Sequence, residues 1–254
     1  MVDIHCHILP ELDDGAPEEA VAREMAKMAA DDGITHIVAT PHSNYRYQFD
    51  PAINRQKRDE LQKAMGDSLT ILLGCDFHLS YENLEDIRKD PSRYTLNGHQ
   101  YLLVEFADVS IPPHMDQIFF DLLARKLVPI ITHPERNPIL SVHPEQIRKW
   151  VEQGCFVQVT AGSFLGRFGK RAEQVAKTLW RHYLVHFIAS DAHNTSSRPP
   201  LLSAARQAIA EEQGEETAQA LTETNPRATI EGRPLPWQPN PQPVRPRRWF
   251  SFHR

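Results

Sequence analysis

VDIHCHILPELDDG, residues 2–15, is the stretch that decides how the rest of this chain is read. Val2, Ile4 and Cys6 alternate with Asp3, His5 and His7, the period of a short strand. That period places His5 and His7 on one face, where two imidazoles can offer nitrogens to one borderline-soft metal ion. Cys6, between them, is expected to face away. Ile8-Leu9-Pro10 ends the strand, and Asp13-Asp14-Gly15 makes a turn that brings two more carboxylates.

Working outward, the same unit recurs. Apolar runs at 34–40, 69–76, 100–106, 127–132, 155–160 and 184–190 predict six further strands. Helical patterns lie at 17–32, 51–65, 112–126, 142–153 and 171–182, with a short one at 81–89 and two last ones at 200–212 and 216–222. Residues 162–170, punctuated by glycine, read as a loop. Crossovers of this length mean parallel pairing. No glycine-rich phosphate turn follows any strand, so a closed or distorted barrel fits better than an open doubly wound sheet. His5 and His7 on strand one, and His42, Asp76, Glu105, His133, Asp191 and His193 at or just past later strand ends, would then converge on one rim, where barrel active sites sit. A packing role would prefer those positions apolar, because buried ionisable groups must be paired or coordinated.

The composition narrows the function. The 254 residues carry a formal charge of -5, which argues against a nucleic-acid surface. Cys6, Cys75 and Cys155 form no disulfide framework and read as small buried hydrophobes in a reducing compartment. No basic start with an apolar run and no apolar stretch of membrane-spanning length is present, so the expected location is the cytoplasm. Residues 234–254 differ from the rest: six prolines, four arginines and no acidic residue. This tail is expected to be mobile or extended. Its Trp237, Trp249, Phe250 and Phe252 suit either a clamp for a protein, an acidic surface or a membrane edge, or a strap packed across the barrel or a neighbouring subunit. The strap is the preferred reading.

Histidine and carboxylate donors without a thiolate set suit Mn²⁺, Fe²⁺ or Zn²⁺. The set exceeds what one four-coordinate ion takes, so two or three ions are expected, bridged by Asp76 or Glu105. Arg136 and Arg198 lie three and five residues beyond His133 and His193 and are candidates for gripping phosphate oxygens. The sequence has no Gly-x-Ser-x-Gly elbow and no Cys-x5-Arg loop, so a hydroxide generated on metal is the expected nucleophile rather than a side chain.

DIHCHILPELDDG, TPH at 40–42, GCD at 74–76, VEF at 104–106, THPER at 132–136 and ASDAHN at 189–194 followed by RPP at 198–200 together resemble the polymerase-and-histidinol-phosphatase (PHP) superfamily. Over about residues 1–230 they look most like its manganese-dependent protein-tyrosine phosphatases of bacterial capsule and exopolysaccharide operons, the CpsB/YwqE type. The resemblance implies a distorted seven-stranded (β/α) barrel over residues 1–233 with three metal ions, Mn²⁺ first and Fe²⁺, Co²⁺ or Zn²⁺ as alternatives. It implies that His5, His7, Asp76 and Asp191 hold the first metal, and that Asp76, Glu105 and His133 hold the second with Asp76 bridging. His42 and His193, with Asp14, would hold the third. Arg136 and Arg198 would bind substrate phosphate, Asp3 would orient a ligand histidine, and Asp191 or a histidine near it would supply a proton. The implied substrate is the phosphotyrosine tail of a bacterial tyrosine autokinase, which would also draw the protein to the inner face of the membrane. Self-association is compatible with the resemblance. The bridging position, usually glutamate, is Asp76 in this chain; His78, two residues on, either compensates or is a surface histidine. The rival functions are a small-molecule phosphoesterase such as a histidinol-phosphate phosphatase, and a non-catalytic metal-stabilised protein that recruits a partner.

Overall fold

A computed structural model describes residues 1–244 of the chain. The expected strands form, two of them in two pieces: β1 (Val2–Cys6), β2 (His36–Ala39), β3 (His42–Ser43), β4 (Thr70–Leu73), β5 (Asp76–His78), β6 (Tyr101–Glu105), β7 (Val128–Thr132), β8 (Phe156–Thr160) and β9 (Phe187–Ala189). The helices are α1 (Glu19–Asp31), α2 (Pro51–Met65), α3 (Tyr81–Ile87), α4 (Met115–Ala124), α5 (Pro144–Gln153), α6 (Ala161–Phe164), α7 (Gly169–Arg181), α8 (Ser203–Gln213), α9 (Glu215–Gln219) and α10 (Asn225–Ile230). Their ends follow local chemistry. Asp50 accepts from the amides of Ala52 and Ile53 ahead of Pro51, which starts α2. Pro144 opens α5 and Gly154, at φ 112°, closes it.

Every pairing is parallel, in two sheets of order β1-β2-β4 and β3-β5-β6-β7-β8-β9. The sheets part where Thr40-Pro41 interrupts one strand and Gly74-Cys75 its neighbour. Register runs on across the gap, Ala39 beside Leu73 and His42 beside Asp76. The Gly74 amide donates to Ala39 O (2.9 Å) and the Asp76 amide to Pro41 O (3.2 Å). Gly74 has no room for a side chain: a Cβ would lie 2.7 Å from Leu96 and 2.9 Å from Val38. At the other side Cys6 bridges to Ala192; the Asp191 amide donates to His5 O (2.8 Å) and the His7 amide to Ala192 O (2.9 Å).

Two apolar clusters hold the molecule. The larger lies between strands and helices and contains Cys6, Ile37, Leu102, Ile131, Val157 and Ile188 with the buried faces of the helices. The smaller joins Ile4, Val38, Leu103, Ile130 and Phe187 to Ala228 and Ile230 of α10. Burying one such Leu or Ile is worth about 1.5–3 kcal/mol. β1 contributes to the smaller cluster because its register slips between Asp3 and Cys6. Val2 and Ile4 therefore face that cluster, while beyond the slip His5 and His7 face the same side.

Two expectations need correction. Residues 162–170 are not all loop, because α6 occupies Ala161–Phe164 before the glycine turns begin. The last helix does not stop at residue 222: a wider π-type turn over Ala220–Thr224 leads into α10. Pro226 reads as a breaker, but in the first turn of α10 its missing N–H is not needed. Residues 234–244 are extended and packed, as the strap reading expects. Leu235 and Val244 are buried, Asn225 exchanges hydrogen bonds with both backbone groups of Trp237, and the Gln242 amide donates to His182 O (2.8 Å). Trp249, Phe250, Phe252 and the tail arginines lie outside the described residues. Among the described residues, no helix is long and apolar enough to cross a membrane.

Candidate active site

The strands deliver their polar residues at one end. In β6 the face carrying Tyr101 and Leu103 next presents Glu105; in β5 it presents Asp76 and His78; past Ala189 of β9 it presents Asp191. His133 and Asp191 leave their strands with positive φ, 32° and 49°. A non-glycine residue there costs on the order of 1–3 kcal/mol, strain that concentrates at functional sites. Gly15 folds the Asp13-Asp14 turn onto strand one; a Cβ on it would stand 2.1 Å from His7 O.

All the ligand-type residues named from sequence come together. His5 Nε2 lies 3.2 Å from His7 Nε2, and 3.5 Å from both Asp76 Oδ2 and Asp191 Oδ1. His42 Nδ1 is 3.3 Å from Asp76 Oδ2 and 3.4 Å from Glu105 Oε2, and its Nε2 is 3.4 Å from Asp14. His193 Nε2 is 3.5 Å from Asp14 Oδ1. His133 Nε2 stands further out, 4.0 Å from Asp76 and 3.9 Å from Glu105. Among the described residues, three donor groups are close enough to hold an ion: His5, His7 and Asp76; His42, Asp76 and Glu105; and His7, Asp14, His42 and His193. Asp76 is shared by the first two. The partition differs from the implied one in three respects: His42 stands nearer Asp76 and Glu105 than His133 does, His7 joins the group of Asp14, His42 and His193, and Asp191 lies just outside the first group.

The electrostatics show what this cluster lacks. Asp76 is fully buried, and neither carboxylate oxygen has a hydrogen-bond partner. Burial opposes its ionisation, yet His5 and His42 hold it well below the carboxylate range. Burial also opposes a charge on His5, but Asp76 and Asp191 outweigh it and lift the imidazole to about 9. His42 is raised in the same way by Asp14, Asp76 and Glu105 against the pull of burial. Burial and His193 push His7 down to about 4, and burial and Arg136 push His133 down to about 3. The carboxylates thus demand positive charge at their centre, and protons on His5 and His42 are one way to meet it. Divalent cations among the same oxygens and nitrogens are the better match, because they also satisfy the orphaned oxygens of Asp76.

Arg136 and Arg198 stand at the mouth. Both donate to Asp191 Oδ2, Arg198 at 2.7 Å. They line a cavity of about 210 Å³ with Asp14, Glu105, His133 and His193. Burial works against the charge on Asp191, but Arg136, His5 and Arg198 keep it well below the usual range. Asp191 thus serves the two arginines as their shared hydrogen-bond acceptor.

Asp3 also differs from expectation. It accepts from the backbone amides of Ser190 (3.0 Å) and His5 (3.3 Å) and from the Ser190 hydroxyl, and so ties β1 to the end of β9. The slip in β1 turns it away from the histidine rings. Orienting falls instead to Gln158, whose Oε1 lies 3.0 Å from His5 Nδ1, and to Asp13, 2.7 Å from His7 Nδ1. Sequence reasoning gave neither that role. The signals were a polar residue within the apolar strand FVQVT and the first Asp of DDG. His78 is half-buried and faces Glu105 Oε2 at 3.7 Å, so it is not a surface histidine. Cys6 packs on the opposite side of its strand, as expected.

Comparison with known proteins agrees with this geometry. The family model described as capsular polysaccharide synthesis, CpsB/CapC, matches residues 1–231. The chain is 38% identical to tyrosine-protein phosphatase YwqE of Bacillus subtilis, over 99% of this chain and 100% of that protein. It is 36% identical to a putative tyrosine-protein phosphatase CapC of Staphylococcus aureus, over 80% of each. A crystal structure from work on YwqE of Bacillus subtilis and CpsB of Streptococcus pneumoniae, described as unique metal-dependent tyrosine phosphatases, superposes with a TM-score of 0.89. That match has 36% identity and covers 96% of this chain and 100% of the other. With a parallel α/β fold and a histidine–carboxylate cluster at its strand ends, this chain belongs to the CpsB/CapC family of capsular polysaccharide synthesis proteins.

Proposed function

We propose that this protein is a metal-dependent phosphatase that removes phosphate from tyrosine in a protein substrate, with a tyrosine kinase of capsule or exopolysaccharide synthesis as its partner. The carrying observation is Asp76: a wholly buried carboxylate with both oxygens orphaned, grouped with His5, His42 and Glu105, of which His42 and Glu105 line the same cavity as the two guanidiniums. The fold reading that supports it is a ring of seven strands. In this reading the two split strands count as one each, and the isolated Cys6–Ala192 bridge supports closure of the ring. Residues 1–233 form the catalytic unit, and 234–254 an appendage that begins as a strap. Work in the cytoplasm, near the inner face of the membrane where such a kinase sits, suits this role.

His5, His7, Asp14, His42, Asp76, Glu105, His133, Asp191 and His193 are the residues that would hold two or three ions, with Mn²⁺ the preferred occupant of a mixed nitrogen and oxygen set. Such ions, when bound, polarise a phosphoryl oxygen and make water a competent nucleophile near neutral pH. The chain's own residues do the rest. Arg136 and Arg198 take phosphoryl oxygens by charge-assisted hydrogen bonds and offset the charge that grows on them. Asp191 keeps the two guanidiniums close despite their mutual repulsion. The departing tyrosyl oxygen has a conjugate acid of pKa about 10, so it leaves with little help from a general acid. Asp13 and Gln158 hold the histidine rings in place throughout.

Hydrolysis of p-nitrophenyl phosphate should vanish on chelation and return with Mn²⁺. A phosphotyrosine peptide should be turned over faster than histidinol phosphate. Full activity in metal-stripped protein would end the proposal, and a preference for histidinol phosphate would move it to the small-molecule reading.

A further inference from the structure

The turn between α6 and α7 falls in the stretch whose sequence reads as a loop, and its Phe168 lies beside both arginines of the site. The Arg136 guanidinium carbon is 4.7 Å and that of Arg198 5.9 Å from the centre of the Phe168 ring, within the reach of a cation–π contact. Gly162 gives the ring its seat: a Cβ there would be 2.9 Å from Phe168 Cε2. Behind the ring, Phe168 and Arg198 border a water-sized gap of about 20 Å³ with Leu165, Pro199 and Leu201. Both arginines thus lie between an aromatic ring and the cavity they line.

Two like charges gathered at one carboxylate oxygen need a second restraint. Asp191 fixes one edge of each guanidinium but not the tilt of its plane. A free arginine side chain has about 2 kcal/mol of rotamer entropy to lose on ordering. The negative face of an aromatic ring attracts both cations at once and sets their planes. The Nε atoms of Arg136 and Arg198 have no hydrogen-bond partner among the described residues, so Asp191 does not use up their donor capacity.

We propose that Phe168, seated on Gly162, is the positioning residue for phosphate: it holds Arg136 and Arg198 flat and aimed into the cavity before substrate arrives. This rests on the phosphatase reading above. It also predicts where selectivity for a phosphate ester originates, namely in an arginine pair ordered in advance rather than ordered by the ligand.

The test uses full-length, Mn²⁺-loaded protein and three variants: Phe168→Leu, which keeps bulk but removes the ring face; Phe168→Tyr, which keeps the face; and Gly162→Ala, which pushes the ring from its seat. For each, KM and kcat on p-nitrophenyl phosphate, the affinity for inorganic phosphate by calorimetry, and bound metal are measured. Phe168→Leu should raise KM and weaken phosphate binding about tenfold. Its kcat should stay within about threefold and its metal content should match wild type. Phe168→Tyr should stay within about twofold of wild type, and Gly162→Ala should follow Phe168→Leu in direction. Unchanged phosphate affinity in Phe168→Leu, or an equal loss in Phe168→Tyr, overturns the proposal. Should Phe168→Leu fold poorly, Gly162→Ala decides, since Phe168 itself is retained. Calorimetry needs no turnover, so absent hydrolysis in the wild type would refute the phosphatase reading while leaving Phe168 still under test.

Discussion

The two ends of the same strands are built on opposite principles. At one end Val38, Leu103, Ile130 and Phe187 meet Ile230 and Leu235 in an apolar cluster. One two-residue step or two further along, the same strand faces carry Glu105 after Leu103, Thr132 after Ile130 and Asp191 after Ala189. The apolar end gains from burial alone. The polar end holds Asp76, Arg136 Nε, Arg198 Nε and His42 Nδ1 buried and without a hydrogen bond among the described residues, and it carries positive φ at His133 and Asp191. Stability and chemistry are thus separated by only a step or two along each strand, and the second is sustained by the first.

Asp76→Ala is the strongest way to break that contrast. It removes the carboxylate shared by two donor groups. Hydrolysis should fall by about 10³-fold or more, bound metal should drop, and added EDTA should then shift Tm little. If the variant keeps its metal and its rate, the polar end is not organised around that residue. At the other end, Ile230→Ala, in α10, should cost about 2–5 kcal/mol of unfolding free energy through the cavity it leaves. KM and metal content should not move. Denaturant titration beside metal analysis checks both halves, and a joint loss would mean that the ends are coupled rather than separate.

The sequence made one end much more legible than the other. Histidines and carboxylates at strand ends are conspicuous against apolar runs, so His5, His42, Asp76, Glu105, His133 and Asp191 could be named without coordinates. The strands were equally plain, because runs such as YLLVE and VPIIT have only one way to be buried. What could not be read depends on where the chain returns. The slip in β1 keeps Ile4 and His5 on one side and turns Asp3 away, and nothing in VDIHC marks it. α10 was hidden behind Pro226, whose meaning changes with its position in a helix. Phe168 and Gln158 are ordinary residues in sequence; only the tertiary fold puts one under Arg136 and the other beside His5.

Asp13 probes the polar end more gently. It supports His7 from behind and also accepts from the amides of Gly15 (2.9 Å) and His42 (3.1 Å). Asp13→Ala should reduce metal affinity or activity by about 10–100-fold, the usual cost of losing a partner behind a metal-ligating histidine. A metal titration followed by activity separates this from Asp76→Ala: excess Mn²⁺ should rescue the Asp13 variant much further. Equal resistance to rescue would make Asp13 a ligand itself.

The smallest effect belongs to the apolar end and is read in pH. His186, just ahead of β9, is buried; its Nδ1 accepts the Val157 amide at 3.3 Å and its ring lies 4.8 Å from that of Phe156. Burial pushes this histidine down to about 3. The folded protein therefore keeps it neutral where the unfolded chain, with an ordinary pKa near 6.5, takes up a proton. The unfolded state binds more protons between those values, so stability is complete above about pH 6.5 and is lost as pH falls toward 3. By pH 5 this one group should cost about 2 kcal/mol. His186→Gln keeps a neutral acceptor without the titration, and should flatten the pH 7 to pH 5 difference in unfolding free energy by that amount. The measurement belongs on chelated protein, so that protons and metal at the far end do not compete for the same carboxylates. An unchanged slope in the variant would place the acid sensitivity at the polar end instead, and would mean that the apolar end carries no titrating cost at all.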